Sequence, residues 1–366
     1  MRQPVGVMTT TNVGEIKAAR APVEAGVTVI FGLDVHAEQI TACRQIEGRL
    51  PQPAQKLSWE RALAWMEAHV RAGARVLSCY EAGPCGYGLH RQLSAWGVTN
   101  YVVAPQRWDE RGRRVKTDRR DARELCQRLD RYARGNTEAF TVVAVPTVEQ
   151  EQRRALGRQR GAVLKERNRC VLRAHGLMLA QGVRAPAEWW RPTVWGPFAG
   201  VLPGWLRAAV GCWQAQAVRL DAALAGWSAQ VEALSAGRPR PKGLGALTAA
   251  LLEGEILDWH RFHNRRQVGS YTGLCPSEAS TGSRRHQGAV SKHGNPRVRH
   301  YLVEAVWRLL LWQPAYPPLR AVHAARGARA RKRAAVAAAR RLAVDLWRIH
   351  TGQCPAEKLG LALHQA

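Results

Sequence analysis

The sequence predicts an α/β N-terminal domain, a mixed sheet with helices on its faces, followed by a long helical segment and a mainly α C-terminal domain. Three patterns carry this expectation. Val27, Val29, Phe31, Leu33 and Val35 alternate with other residues, the period of a strand, and strand-like and helix-like stretches then follow one another to about residue 145. From 147 to 236 apolar residues fall near helical spacing. Past that, Gly243-Leu244-Gly245 opens a further helix.

Taken in order, residues 1–25 are polar and irregular and read as a flexible tail. The strand that starts near Gly26 is followed by a second over Gln39–Ile46, close enough to pair as a hairpin. Gly48 begins a turn, and a third short strand is expected before Ser58. SWERALAWMEAHVRAG reads as an amphipathic helix with Ser58 and Arg61 in cap positions and Gly73 just past its end. RVLSCYE is a short buried strand, Tyr87–Trp96 a helix stopped by Gly97, and VTNYVVAP another strand. Thr117 then caps the long helix TDRRDARELCQRLDRYAR. A hairpin-rich start followed by strand–helix alternation fits a ribonuclease-H-like domain over 26–146. Residues 147–236 read as a helical, coiled-coil linker or dimerisation arm, interrupted by the irregular Trp- and Pro-containing segment APAEWWRPTVWGPFAGVLPG. Residues 237–312 form a C-terminal domain. Its Gly243–Gly245 turn is either a helix-hairpin-helix turn, whose amides hold a DNA phosphate, or a tight turn before a core helix. Residues 313–366 read as a basic helical tail. Its stretch from Arg320 to Arg341 has no acid and is expected to serve as a nucleic-acid arm rather than a solvated helix face.

Composition narrows the function. The 366 residues carry 55 Lys+Arg against 28 Asp+Glu, a formal net charge of +27. Such a chain seeks a polyanion, and nucleic acid is the commonest. No apolar run reaches the roughly 18 residues of a membrane span, and the first 20 residues lack the apolar core of a signal peptide. The 8 cysteines form no CxxC pair, so neither a zinc ribbon nor a disulfide framework is expected. A reducing cytoplasm fits this usage.

Four carboxylates stand in unusual places. Asp34 lies inside the apolar strand FGLDVH, where an isolated charge costs several kcal/mol unless compensated. Glu81 ends the strand RVLSCYE, on what should be a neighbouring strand. Asp118 and Asp121, three apart, share one face at the start of a helix. First-turn aspartates are also favoured by capping and the helix dipole alone, and Glu81 alone can pair with an arginine. Four carboxylates converging on one point repel unless cations neutralise them, and a pair of Mg²⁺ (or Mn²⁺) ions would do so and would activate phosphodiester chemistry.

GLDVH, YEAGPCGYGLHRQL, and VVAP followed by VKTDRRDA together resemble the N-terminal domain of the DEDD transposases of bacterial insertion sequences. GLGALTAALL and GSYTGLCPSEASTGSRRHQGAVSKHGNPRVRHYLVEAVW are similar to that family's second conserved domain, so the resemblance spans about 26–312. It implies a RuvC-like domain whose acidic tetrad falls on Asp34, Glu81, Asp118 and Asp121. It also implies a nucleophilic serine in the C-terminal domain. Where the family commonly has Ser-Ser-Gly this chain has Ser280-Thr281-Gly282, which leaves Ser280 the better candidate, since Thr281 is a hindered secondary alcohol. Ser277 and Ser283 flank the block. Ser280 would attack a DNA phosphate and conserve its bond energy as a phosphoserine, in a composite site to which both domains contribute. The resemblance further implies a structured guide (bridge) RNA encoded beside the gene, and a homodimer or homotetramer acting on DNA ends and target. Lys116, Arg119 and Arg120 beside the tetrad, Gly243 and Gly245 at the turn, and Arg284, Arg285, Lys292, Arg297 and Arg299 after the serine are the candidate nucleic-acid contacts. Two other functions fit part of the pattern. A two-metal nuclease or junction resolvase needs the tetrad but no serine, and a non-catalytic nucleic-acid binder needs only the charge and the turn.

Overall fold

A computed structural model of the chain describes residues 25–105, 117–234, 239–279, 281, 284 and 286–364. The chain divides into two units between Val145 and Pro146.

The first unit is built on β1 (Thr28–Val35), β2 (Gln39–Ile46), β3 (Gln55–Ser58), β4 (Arg75–Glu81) and β5 (Thr99–Val103). They form one mixed sheet in the order β3-β2-β1-β4-β5. The β1–β2 and β2–β3 pairs are antiparallel, and the β1–β4 and β4–β5 pairs are parallel. Parallel neighbours need crossovers, which α1 (Trp59–Arg71) and α2 (Gly88–Ala95) supply. Ser58 caps α1 as expected, its hydroxyl accepting from the Arg61 amide at 3.4 Å.

Alternation is only part of the β1 pattern. Val29, Phe31 and Leu33 pack on one face against Trp65 and Met66 of α1 and Leu89 and Leu93 of α2. Ile30, on the opposite face, packs with Leu125 and Cys126 of α3 (Asp118–Ala133). β1 is a central strand covered on both sides, so its intervening positions are apolar or glycine instead of polar. Thr117 is the N-cap residue of α3 but makes no side-chain cap bond. Its carbonyl accepts from the amides of Arg120 and Asp121.

The second unit starts with α4 (Val148–Ala180), whose first turn is closed by a reciprocal Thr147–Gln150 capping box. α4 lies antiparallel to α6 (Gly204–Ala233), with Arg160 Nε donating to Ser228 Oγ at 2.9 Å and Arg167 pairing with Asp221 at 3.1 Å. The segment between them, expected to be irregular, contains α5 (Pro192–Ala199), started by a proline at its first position, where no amide is needed. Then follow β6 (Arg240–Pro241), α7 (Ala246–Ile256), α8 (Arg265–Thr272), β7 (Pro276–Glu278), β8 (Gln287–Val290), α9 (Pro296–Trp312), α10 (Arg320–Ala324), α11 (Ala328–His350) and β9 (Leu363–His364).

Residues 313–364, expected as a basic helical tail, contain α10 and α11 and pack into the second unit. Ala339, Leu342 and Leu346 of α11 share one core with Leu302, Val306 and Leu309 of α9, and β9 pairs with β6. The basic residues Arg329, Arg331, Lys332 and Arg333 lie exposed on α11. No helix among the described residues is long and apolar enough to cross a membrane.

Candidate metal centre and serine hairpin

Gly32 sets the geometry of the carboxylates. It sits between Ile30 and Asp34 on the face of β1 that α3 covers, and a Cβ at this position would overlap the Ala122 carbonyl and the Cys126 backbone. Only glycine lets the helix come this close. α3 thus crosses β1 at Ala122–Cys126, and the turn before that crossing, with Asp118 and Asp121, arrives at Asp34, two residues beyond Gly32 on the same face. Cys126 adds a thiol hydrogen bond to the Ile30 carbonyl at 3.6 Å.

Register brings Glu81 to the same end of the sheet, although its carboxylate is not among the donor atoms that meet at Asp34, His36 and Asp118. Leu33 pairs with Tyr80 across the parallel β1–β4 ladder, so Asp34 and Glu81 occupy the next level at the carboxyl ends of both strands. Cys79 packs on the α3 face, and Glu81, two residues on, shares that face.

His36, which is not one of the four carboxylates, joins Asp34 and Asp118. His36 Nε2 lies 3.1 Å from Asp34 Oδ2 and 3.7 Å from Asp118 Oδ2. One donor atom from each of these three residues lies within 4.8 Å of the other two. The clue was the His two positions after Asp34 in GLDVH, since residues i and i+2 of an extended chain face the same way. Its backbone is fixed at both ends: the amide donates to the Gln39 carbonyl at 2.9 Å, and its carbonyl accepts from Trp59 Nε1 at 3.0 Å.

Partial burial raises the Asp34 pKa above the ordinary carboxylate range. The His36 contact opposes this, and the charges of Asp118 and Asp121 add to it. That is the repulsion a divalent cation relieves. Donors on one cation at about 2.0–2.3 Å lie roughly 3–4.5 Å apart. The two His36 separations fall in that range, so these residues fit a divalent ion. Arg119 and Arg120 are exposed on the same first turn of α3, and Lys116 lies outside the described residues.

In the second unit, β7 and β8 form an antiparallel hairpin. Near its turn the Ala279 amide donates to His286 O at 3.0 Å, and Thr281 and Arg284 exchange backbone hydrogen bonds. Ser280, Gly282, Ser283 and Arg285 lie outside the described residues. Ser277 is engaged in the hairpin, its hydroxyl donating to the Ala289 carbonyl at 3.0 Å. The hairpin's base is tied to α8, where the Lys292 amide donates to Gly273 O at 3.1 Å and the Asn295 amide to Tyr271 O at 2.7 Å. Gly294 has φ +144, and a Cβ there would strike the Tyr271 carbonyl.

Asn295 also caps α9, accepting from the amides of Arg297 and Val298. Its Nδ2 donates to the buried Glu255 at 2.9 Å, which takes two further bonds from Arg158 at 3.0 Å each. Burial alone would raise the Glu255 pKa; the Arg158 and Asn295 bonds outweigh it and leave the carboxyl below its ordinary range.

The basic candidates after the serine separate into two kinds. Arg297 lies 3.6 Å from Glu255, and Arg299 donates to Thr272 O at 3.1 Å, so both hold the fold. Arg284 and Lys292 are exposed. At the glycine turn, Gly243 is buried under Trp312 with φ +89, while Gly245 is exposed as the N-cap of α7. A two-residue strand, β6, leads into this turn where a helix-hairpin-helix would have a helix.

Residues 240–319, which run from β6 through the serine hairpin and α9, match the model of the "Transposase IS116/IS110/IS902 family". This stretch is similar to transposases of the IS116/IS110/IS902 family. Two proteins of Sinorhizobium fredii (strain NBRC 101917 / NGR234) named as transposases, y4rJ and y4qE, are 38% and 32% identical over 264 and 267 residues, covering 64% and 66% of this chain. The transposase for insertion sequence element IS1111A of Coxiella burnetii (strain RSA 493 / Nine Mile phase I) is 25% identical over 64% of this chain. The matches span 65%, 60% and 66% of those relatives' own lengths. Within the matched stretch lie Gly243, Gly245, Ser280 and the basic residues from Arg284 to Arg299. Asp34, Glu81, Asp118 and Asp121 lie outside it.

Proposed function

We propose that the chain is an insertion-sequence transposase, a recombinase that cuts and rejoins DNA through a phosphoserine. The observation that carries this reading is the meeting of Asp34, His36 and Asp118 at the carboxyl end of a central strand, in a chain whose residues 240–319 match a transposase family model. The β3-β2-β1-β4-β5 order supports a ribonuclease-H-like, RuvC-like identity for the first unit.

Asp34, Glu81, Asp118 and Asp121 would hold Mg²⁺ or Mn²⁺. A divalent ion supplies charge neutralisation at a phosphate and at the oxygens entering and leaving it. Ser280 Oγ attacks phosphorus and loses its proton; the bond from phosphorus to a deoxyribose oxygen breaks, and that oxygen takes up a proton. One phosphodiester replaces another, so rejoining is the same step reversed with a different sugar hydroxyl as attacker. Arg284 and Lys292 would neutralise phosphate charge, and Arg119 and Arg120 would bind backbone near the carboxylates.

The +27 charge supports binding of nucleic acid and is compatible with a structured guide RNA beside the element DNA. A homodimer or homotetramer supplies the several active serines that exchange of duplexes requires.

Trapping on a denaturing gel tests the chemistry. Wild-type protein incubated with labelled element-end DNA and Mg²⁺ should yield a protein–DNA adduct, absent in Ser280→Ala, while gel-shift affinity stays unchanged. Free cleaved ends without adduct would mean hydrolysis, and an adduct persisting in Ser280→Ala would remove that serine from the role.

A further inference from the structure

We propose that His36 is a ligand of the ion held by Asp34 and Asp118, and that it tilts this site from Mg²⁺ toward Mn²⁺. The inference rests on the metal reading above and adds a residue and a preference to it.

Three observations lead here. First, a single atom, His36 Nε2, approaches both carboxylates, at 3.1 Å from Asp34 Oδ2 and 3.7 Å from Asp118 Oδ2. These are separations of donors sharing one ion, so coordination needs only side-chain adjustment. Second, the backbone that presents the ring is held on both sides, by Gln39 at the amide and by the Trp59 indole at the carbonyl. A pre-set donor loses little freedom on binding. Third, the ring remains 46% exposed and Asp118 likewise 46%, so an ion can reach the cluster from solvent.

The donor chemistry then sets the preference. Mg²⁺ is hard, keeps its waters and takes oxygen ligands in a near-ideal octahedron. Imidazole nitrogen raises affinity along the first-row divalent series, which begins at Mn²⁺. Two carboxylates alone leave Mg²⁺ and Mn²⁺ poorly distinguished, and adding a nitrogen favours Mn²⁺. The ring's other nitrogen, Nδ1, would carry the proton in the ligating form.

The test uses the full chain without nucleic acid, with MnCl₂ and MgCl₂ as probes. Wild type should bind Mn²⁺ more tightly than Mg²⁺ by calorimetry. Pulsed electron paramagnetic resonance of the Mn²⁺ complex should show coupling to nitrogen that changes when histidine is ¹⁵N-labelled. His36→Ala should weaken Mn²⁺ at least about tenfold, the loss typical even of outer-sphere partners. It should leave Mg²⁺ affinity nearly unchanged and abolish the coupling. His36→Asp, which supplies oxygen instead of nitrogen, should bind Mg²⁺ at least as well as wild type.

If wild-type Mn²⁺ shows no histidine coupling, or His36→Ala weakens both ions equally, His36 is not the discriminating ligand, though the carboxylate site stands. If Asp34→Asn binds Mn²⁺ as wild type does, the metal reading itself fails. Should His36→Ala lose its circular dichroism signature, the wild-type nitrogen coupling still decides.

Discussion

His69 is fully buried on α1, and Arg44 Nη1 lies 3.0 Å from its Nε2 while stacking over Trp65. The ring accepts from the guanidinium only while neutral. Burial, with the Arg44 charge adding, lowers its pKa to about 4. The folded value is thus depressed below the ordinary 6.5. The folded state binds fewer protons than the unfolded chain in between, so stability is present above pH 6.5 and is lost as pH falls toward 4. Denaturant unfolding of the full chain should show a steeper fall across this window in wild type than in His69→Gln; identical slopes would mean that the pair contributes nothing. At this scale legibility was uneven. Asp34 could be read because a carboxylate in an apolar strand needs a reason. His36 escaped because it stands one residue past the strand's end, where polar residues are ordinary, and its second carboxylate neighbour, Asp118, comes only with the approach of α3.

At the scale of elements, the contact between β1 and α3 makes the carboxylate cluster possible. Gly32→Ala places a methyl group into the Ala122 carbonyl and the Cys126 backbone. Overpacking of this kind costs about 1–3 kcal/mol, and here it acts directly on the helix that carries Asp118 and Asp121. The variant should lose stability by that amount and lose divalent-ion affinity as well. Thermal unfolding and calorimetry check both, and a destabilised variant with intact ion binding would mean that α3 is positioned elsewhere along its length. The mixed sheet itself was readable because two close strands predict a hairpin and strand–helix alternation predicts parallel pairing. The packing of α11 was not legible, for a physical reason. Its core face uses Ala335, Ala338, Ala339 and Ala343, which carry little hydrophobic signal yet let helices approach closely, so the arginines dominated the pattern. α5 was missed because its prolines look like breakers, although Pro192 occupies the one helical position where proline fits.

For the whole molecule, the +27 charge and the family match answer different questions. Charge argues for a nucleic-acid partner, and the match over 240–319 shows the similarity of that stretch to a transposase family. Neither speaks to the first unit's carboxylates, whose gathering comes from sheet register and a glycine contact. In the second unit, Glu255, Asn295 and Arg158 brace the base of the serine hairpin, a network of residues from α7, α4 and the α9 cap that are far apart in the chain. Whether the β1 and α3 carboxylates cut DNA is decided by cleavage of labelled element-end DNA by the full chain, with Mg²⁺ or Mn²⁺ titrated in and then chelated. Wild type should cut only with the ion, and Asp34→Asn and Asp118→Asn should cut at least about 100-fold more slowly while binding DNA as wild type does. Cutting by wild type in excess chelator, or by Asp34→Asn at the wild-type rate, would contradict a metal-dependent site at these residues.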